Sequence, residues 1–153
     1  MGILREGMSG AQVCALKERL NELGYDCGNG DLYDRRTAWA VRWFCHLSEM
    51  EETDAVDDAL WTRIFAKDAK SGAVEEVPLY SQSAPIWKDY PYDAANTPEI
   101  ETICTSGCGP TSMAMAISGA LKRSVLPPVL ADWANANGFR DPDGINGTDE
   151  SFF

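Results

Sequence analysis

The chain of 153 residues carries a single histidine, His46, and no Cys-x-x-Cys pair. Tetrahedral zinc sites draw on cysteine and histidine, so this shortage argues against a metal, and nothing else in the sequence calls for a cofactor. The five cysteines, Cys14, Cys27, Cys45, Cys104 and Cys108, are odd in number and irregular in spacing, which argues against a disulfide framework. Positive charge is scarce: 13 Lys+Arg stand against 24 Asp+Glu, a net charge of −11. The deficit is spread out, with 12 acids and 7 bases in residues 1–66 and 9 acids and 4 bases in residues 77–153. Such a surface repels phosphate backbones and is not drawn to anionic lipid, so neither a nucleic acid nor a membrane is expected as partner. No apolar run approaches the roughly 20 residues of a membrane span. The opening "MGILREGMSG" has no basic patch followed by an apolar stretch, so no signal peptide is read there. It also lacks the Ser/Thr that a myristoylation motif needs. A cytosolic protein, one exported without such a signal, or one whose signal has been removed would each fit.

What is present divides into two segments. Ser9 and Gln12 have capping-box spacing, and Val13, Leu16, Leu20 and Leu23 then recur at helical spacing until Gly24. "YDCGNGDLYD" is a turn-rich loop. Asp34 can cap a second helix reaching about Leu47, with Thr37, Ala40, Val41, Phe44 and Leu47 on its core face. After the acidic loop "SEMEETDA", Asp57 can cap a third, short helix with Leu60, Trp61, Ile64 and Phe65. Three helices in about 60 residues make a small but feasible core.

The stretches "LREGMSGAQVCALKERLNELGY", "GDLYDRRTAWAVRWF" and "AVDDALWTRIF" resemble the three-helix peptidoglycan-binding domain of bacterial and phage cell-wall hydrolases. Leu4, Gly7, Gly10, Val13, Leu16, Leu20, Gly24, Tyr25, Thr37, Ala40, Val41, Phe44, Trp61 and Ile64 fill its pattern, with Ile64 where Leu is usual and Cys45-His46 where polar residues are usual. The resemblance implies an all-α domain over residues 1–66 with peptidoglycan as its partner. Trp39, Trp43 and His46 stand apart from that pattern. At 100° per residue they fall on one stripe of the second helix, roughly opposite its core face. Such a stripe either packs against a second domain or subunit or serves as a glycan- or peptide-stacking platform.

Residues 67–76, "KDAKSGAVEE", read as a linker. "VPLYSQ", 77–82, reads as a strand, and the long segment after it, with Pro85, Pro91 and Pro98, as a functional loop. Then comes "TSGCGPTSMAMAISGA". Pro110 suits the first turn of a helix, and Met113, Ala116, Ile117 and Ala120 supply an apolar face. Cys108 would stand at that helix's N-terminus, where the dipole and free N–H groups favour a thiolate. A buried structural cysteine is the competing reading.

"VPLYSQ", "IWKDYPYD", "TSGCGPTSMAMAIS", "LPPVLADWANANGF" and "GINGTDESFF" resemble, in order, the bacteriocin-processing-like (double-glycine-peptidase-like) group of papain-type cysteine peptidases. The resemblance implies an α+β papain-like domain over residues 77–153, with Cys108 as catalytic nucleophile and Gln82 as oxyanion donor. Cys104 falls before the Gly-Cys-Gly-Pro block and reads as an ordinary loop or core residue. The same family needs a histidine and an Asn or Asp from strands further on, and residues 77–153 contain no histidine. Only the N-terminal half of such a domain is therefore expected. A shortened polypeptide, a second chain that completes the fold, or a remnant that only binds would account for it, and the ending "SFF" favours the first. Half a domain would leave an apolar helix face uncovered, so self-association is expected.

Taken together, the expected fold class is α+β, a small all-α three-helix domain followed by a truncated papain-like domain. The expected function is a cell-wall hydrolase that binds peptidoglycan and cleaves peptide or amide bonds, acting at the bacterial wall after release from the cytoplasm. Without the histidine, this chain is expected to be inactive. The alternative is a non-catalytic wall-binding or assembly protein.

Overall fold

A computed structural model of the protein describes residues 2–93, 100–141 and 147–153. It divides into two compact units, Met1–Glu75 with Lys122–Ser124, and Glu76–Leu121 with Val125–Phe153.

The first unit holds α1 (Ala11–Glu22), α2 (Arg35–Leu47) and α3 (Asp58–Ile64). Its core is built from the residues that recur at helical spacing: Val13, Leu16 and Leu20 from α1, Val41 and Phe44 from α2, Leu60 and Ile64 from α3. The start of α1 differs from expectation. Gly10 is the cap and no side chain bonds the first turn. Ser9 instead lies in a bridge to Leu32, so its backbone is committed before the helix begins. The end of α1 follows the glycine rule. Tyr25 N–H donates to Leu20 O (2.9 Å) and Gly24 N–H to Asn21 O (3.0 Å), the paired bonds of a Schellman motif, with Gly24 at φ +90°. Asp34 and Asp57 cap α2 and α3 by accepting from the N–H groups of Thr37 and Leu60, each at 2.8 Å.

Residues 67–75 belong to the first unit. Gly72 N–H and Ser71 Oγ both donate to Leu23 O, and Tyr25 Oη donates to Lys70 O at 2.8 Å. Gly72 lies flat on the Tyr25 ring, where an added Cβ would come within 2.7 Å. Residues 122–124 complete this corner. Ser124 N–H donates to Gly24 O and Asp26 N–H to Ser124 O, while Ser124 Oγ donates to Gly72 O at 2.5 Å. The half-buried Asp26 carboxylate takes the guanidinium groups of Arg36 and Arg123.

The second unit is helical: α4 (Ile103–Ser106), α5 (Cys108–Leu121), α6 (Pro127–Ala136) and a closing 3₁₀ turn, Glu150–Phe152. Pro127 and Pro128 open α6, where a missing N–H costs no helix bond. Buried Ser118 ties α5 to the chain entering α6, donating to Val125 O (3.0 Å) and accepting from Val125 N–H (2.9 Å).

The α+β expectation is overturned. Among the described residues there is no sheet, only isolated bridges such as Pro91–Thr102 and Arg140–Thr148. Residues 77–82 are not a strand. Val77 packs on Gly119 of α5, and Tyr80 N–H points at Met115 Sδ (3.2 Å) rather than at a neighbouring strand's carbonyl. A strand is completed by a partner backbone, and here a helix face occupies that place. Residues 94–99 of the long loop, Pro98 among them, and 142–146, with the start of the "GINGTDESFF" block, lie outside the described residues.

Candidate functional site

Cys108 is the first residue of the 14-residue α5 and is exposed. The chain turns from α4 into α5 at Gly107, whose N–H donates to Ile103 O at 2.8 Å. A Cβ at Gly107 would lie 2.5 Å from that same carbonyl oxygen, so only glycine permits so short a junction. Pro110 and Gly109 complete the first turn, and Thr111 N–H returns to Gly107 O at 3.0 Å. The Cys108 and Gly109 N–H groups head the helix, where its dipole stabilises negative charge. One turn on, the Thr111 hydroxyl is buried and has no hydrogen-bond partner among the described residues.

All five thiols are free, and three sit where ionisation is opposed. Burial pushes Cys27 up to about 12 and raises Cys45. Cys14 is raised chiefly by donating to the Glu18 carboxylate. Cys104 is half-buried, with its sulfur 3.6 Å from Ser83 Oγ and its N–H on Lys88 O. Exposure and a helix start coincide at Cys108 alone among them.

Gln82 reaches the same corner. Its Nε2 donates to Cys104 O at 2.7 Å, four residues before Cys108. An amide nitrogen carries two donors, so this bond leaves one. The histidine lies in the first unit, where His46 Nδ1 bonds Glu52 Oε1 at 2.8 Å and the ring stacks on Trp43 at 4.9 Å between centroids. Trp43 Nε1 donates to Ser124 Oγ (3.1 Å), so one edge of its indole is anchored within the unit. Trp39 is buried, at 7% exposure, with the Arg42 guanidinium 5.2 Å over its ring. Of the stripe read from the sequence, Trp43 and His46 form a stacked pair, and Trp39 presents little surface.

Beside Cys108 the structure assembles a group that the sequence left unassigned. Tyr92 Oη and Thr148 Oγ1 are hydrogen-bonded at 2.7 Å in a buried setting. Burial raises the Tyr92 phenol above its ordinary value, against the opposing hydrogen bond from Thr148 and the charge of Arg140. Arg140 Nη2 pairs with Glu101 Oε2 at 2.5 Å, its Nε donates to Tyr92 O at 3.1 Å, and its Nη1 donates to Gly147 O. The pairing of residues 101 and 140 had no sequence signal. Tyr92 and Thr148 lie in quoted blocks, "IWKDYPYD" and "GINGTDESFF", and that was the available hint. Among the described residues there is no cluster of three or more His, Cys, Asp or Glu able to hold a metal ion.

Comparison with protein-family models, with curated proteins and with solved structures found no match to this chain.

Proposed function

We infer that the protein is a cell-wall hydrolase of the cysteine peptidase type, with a first unit that binds peptidoglycan. The observation that carries this reading is Cys108, an exposed thiol heading a long helix between two glycines. The local blocks resembling the bacteriocin-processing-like peptidases support it, as does the three-helix pattern of residues 1–66. In the chemistry, the Cys108 thiolate attacks the carbonyl carbon of a peptide or amide bond. The Cys108 N–H and the second donor of Gln82 stabilise the resulting oxyanion. The C–N bond then breaks, the amine leaves with a proton from a general acid, and water hydrolyses the thioester to acid and free thiol. That acid, formerly the base that took the thiol proton, is not supplied by residues 77–153, which contain no histidine. This polypeptide alone therefore releases no new amine ends from peptidoglycan, while its thiol still reacts with electrophiles.

The test is iodoacetamide labelling near pH 6, followed site by site by mass spectrometry. Cys108 is expected to react first, and Cys108→Ser to remove that reaction. Labelling of Cys108 no faster than Cys14 would sink the nucleophile. Co-sedimentation with insoluble peptidoglycan tests the first unit, and a chain left in the supernatant would defeat the wall-binding part. A second reading, a wall-binding protein without catalysis, is favoured by the engagement of His46 with Glu52 and Trp43. Retained co-sedimentation together with an unreactive Cys108 would select it.

No helix among the described residues is long and apolar enough to cross a membrane.

A further inference from the structure

We propose that Thr148, held by Tyr92 and by the Arg140–Glu101 pair, is a positioning residue for the Cys108 thiol. The proposal rests on the nucleophile reading above and concerns how that thiol is held. Thr148 packs directly on the residue after the cysteine. A Cβ on Gly109 would lie 2.6 Å from Thr148 Oγ1 and 2.8 Å from Thr148 Cβ, so the helix start is seated against this side chain with no space between. The hydroxyl that makes this contact is oriented by its 2.7 Å bond to Tyr92 Oη. Tyr92 is in turn fixed from behind: Arg140 Nε donates to its carbonyl, and the guanidinium lies 4.7 Å over its ring.

The same network grips the chain before the cysteine. Glu101 divides its carboxylate between Arg140, through Oε2, and the Ser106 hydroxyl, which donates to Oε1 at 2.7 Å. Gly147, next to Thr148, is held by Arg140 and stands at φ +69°, where a Cβ would come 3.2 Å from Ser106 O. Residues 106 and 109 are therefore both clamped by one connected group, and Cys108 sits between them. The Arg140 side chain is 4% exposed and that of Glu101 17%, so the pair is shielded from solvent. A paired charge in that setting holds its geometry because separating it leaves a desolvated charge behind. The clamp fixes the backbone on both sides of Cys108 at the start of α5, an end that favours negative charge; with the clamp loosened, the first turn frays and that electrostatic support falls.

The experiment is the pH profile of Cys108 alkylation by iodoacetamide in the full chain, with Cys104 followed in the same digest as reference. Thr148→Val keeps the shape against Gly109 and removes the bond to Tyr92. It is expected to slow Cys108 labelling near pH 6 about threefold, the size of a helix-terminus charge effect, and to move the midpoint of the profile upward. Thr148→Ser, which keeps the hydroxyl, is expected to restore the parent profile. Tyr92→Phe removes the same bond from the other side and substitutes if Thr148→Val fails to fold. Superposable profiles for parent and variant would overturn the proposal, and so would equal slowing of Cys104, which marks general loosening. A parent Cys108 that reacts no faster than Cys14 would defeat the nucleophile reading and the positioning role together. A fast parent with an unaffected Thr148→Val would defeat the positioning role alone.

Discussion

Gly107 and Gly109, on either side of Cys108, let Ile103 and Thr148 approach the backbone closely, and each does so through the absence of a Cβ rather than through an unusual φ. Gly109→Ala raises helix propensity, yet the new methyl meets Thr148 at 2.6 Å. Overpacking should win: the expected loss is about 1–3 kcal/mol, read as a lowered denaturant midpoint at unchanged slope. Gly24→Ala is expected to be costlier still, because it adds a positive-φ penalty to a contact of 2.4 Å with the Ala73 nitrogen. Thermal melts of the two variants side by side would show the order, and a milder Gly24→Ala would contradict it. Much of this corner was readable as residues. Pro110 suits a first helical turn, and the apolar spacing after it marks the helix, so the start at Cys108 was readable. Arg140 and Glu101 were not readable, because an ion pair across 39 positions leaves no local pattern.

Helices of the first unit follow from local chemistry wherever a side chain can serve its own backbone. Asp34 illustrates it. Burial opposes its charge, but the N–H and hydroxyl of Thr37, together with Lys17, outweigh burial and hold the carboxyl below its ordinary value. A lowered folded-state value stabilises the fold above the unfolded carboxylate range, and that contribution is lost as pH falls through the folded value. Asp34→Asn keeps a capping oxygen but cannot titrate there. The melting-temperature gap between parent and Asp34→Asn is therefore expected to narrow as pH drops from 7 to about 3, below the ordinary Asp range. A constant gap would refute the coupling. Asp34→Ala removes the cap outright and should cost about 1 kcal/mol at neutral pH. Where the partner is distant, element reading fails. The Ser9–Gln12 capping box does not form because Ser9 is engaged with Leu32. The strand at 77–82 does not form because α5, not another strand, lies alongside it.

At the scale of the molecule, the first unit is larger than its helix pattern. A fragment ending at residue 66, where that pattern stops, lacks the Lys70 carbonyl for Tyr25 Oη, the Gly72 contact on the Tyr25 ring, and Ser124 for Trp43 and Gly24. Several hydrogen bonds at 0.5–1.5 kcal/mol each make the expected loss on the order of 3 kcal/mol, measurable by urea unfolding of the fragment against the full chain. Equal stability would show that residues 70–72 and 122–124 contribute nothing to this unit. Net charge is also a property of the whole. At −11, association with an anionic surface should weaken further as salt is lowered, the reverse of a basic wall-binding module. Co-sedimentation with peptidoglycan at two ionic strengths distinguishes contact-driven from charge-driven binding.

The sequence by itself determined the three helices of the first unit, the aspartate caps, the glycine stop at Gly24 and the helix that begins at Cys108. These follow from side chains acting on backbone within a few residues, and such pairings are written in spacing. The tertiary structure decided the helical, sheet-free character of the described second unit, the incorporation of residues 67–75 and 122–124 into the first, and the Tyr92–Thr148–Arg140–Glu101 network around Cys108. Each of those depends on backbone or charge from a distant part of the chain, whose arrival no local pattern records.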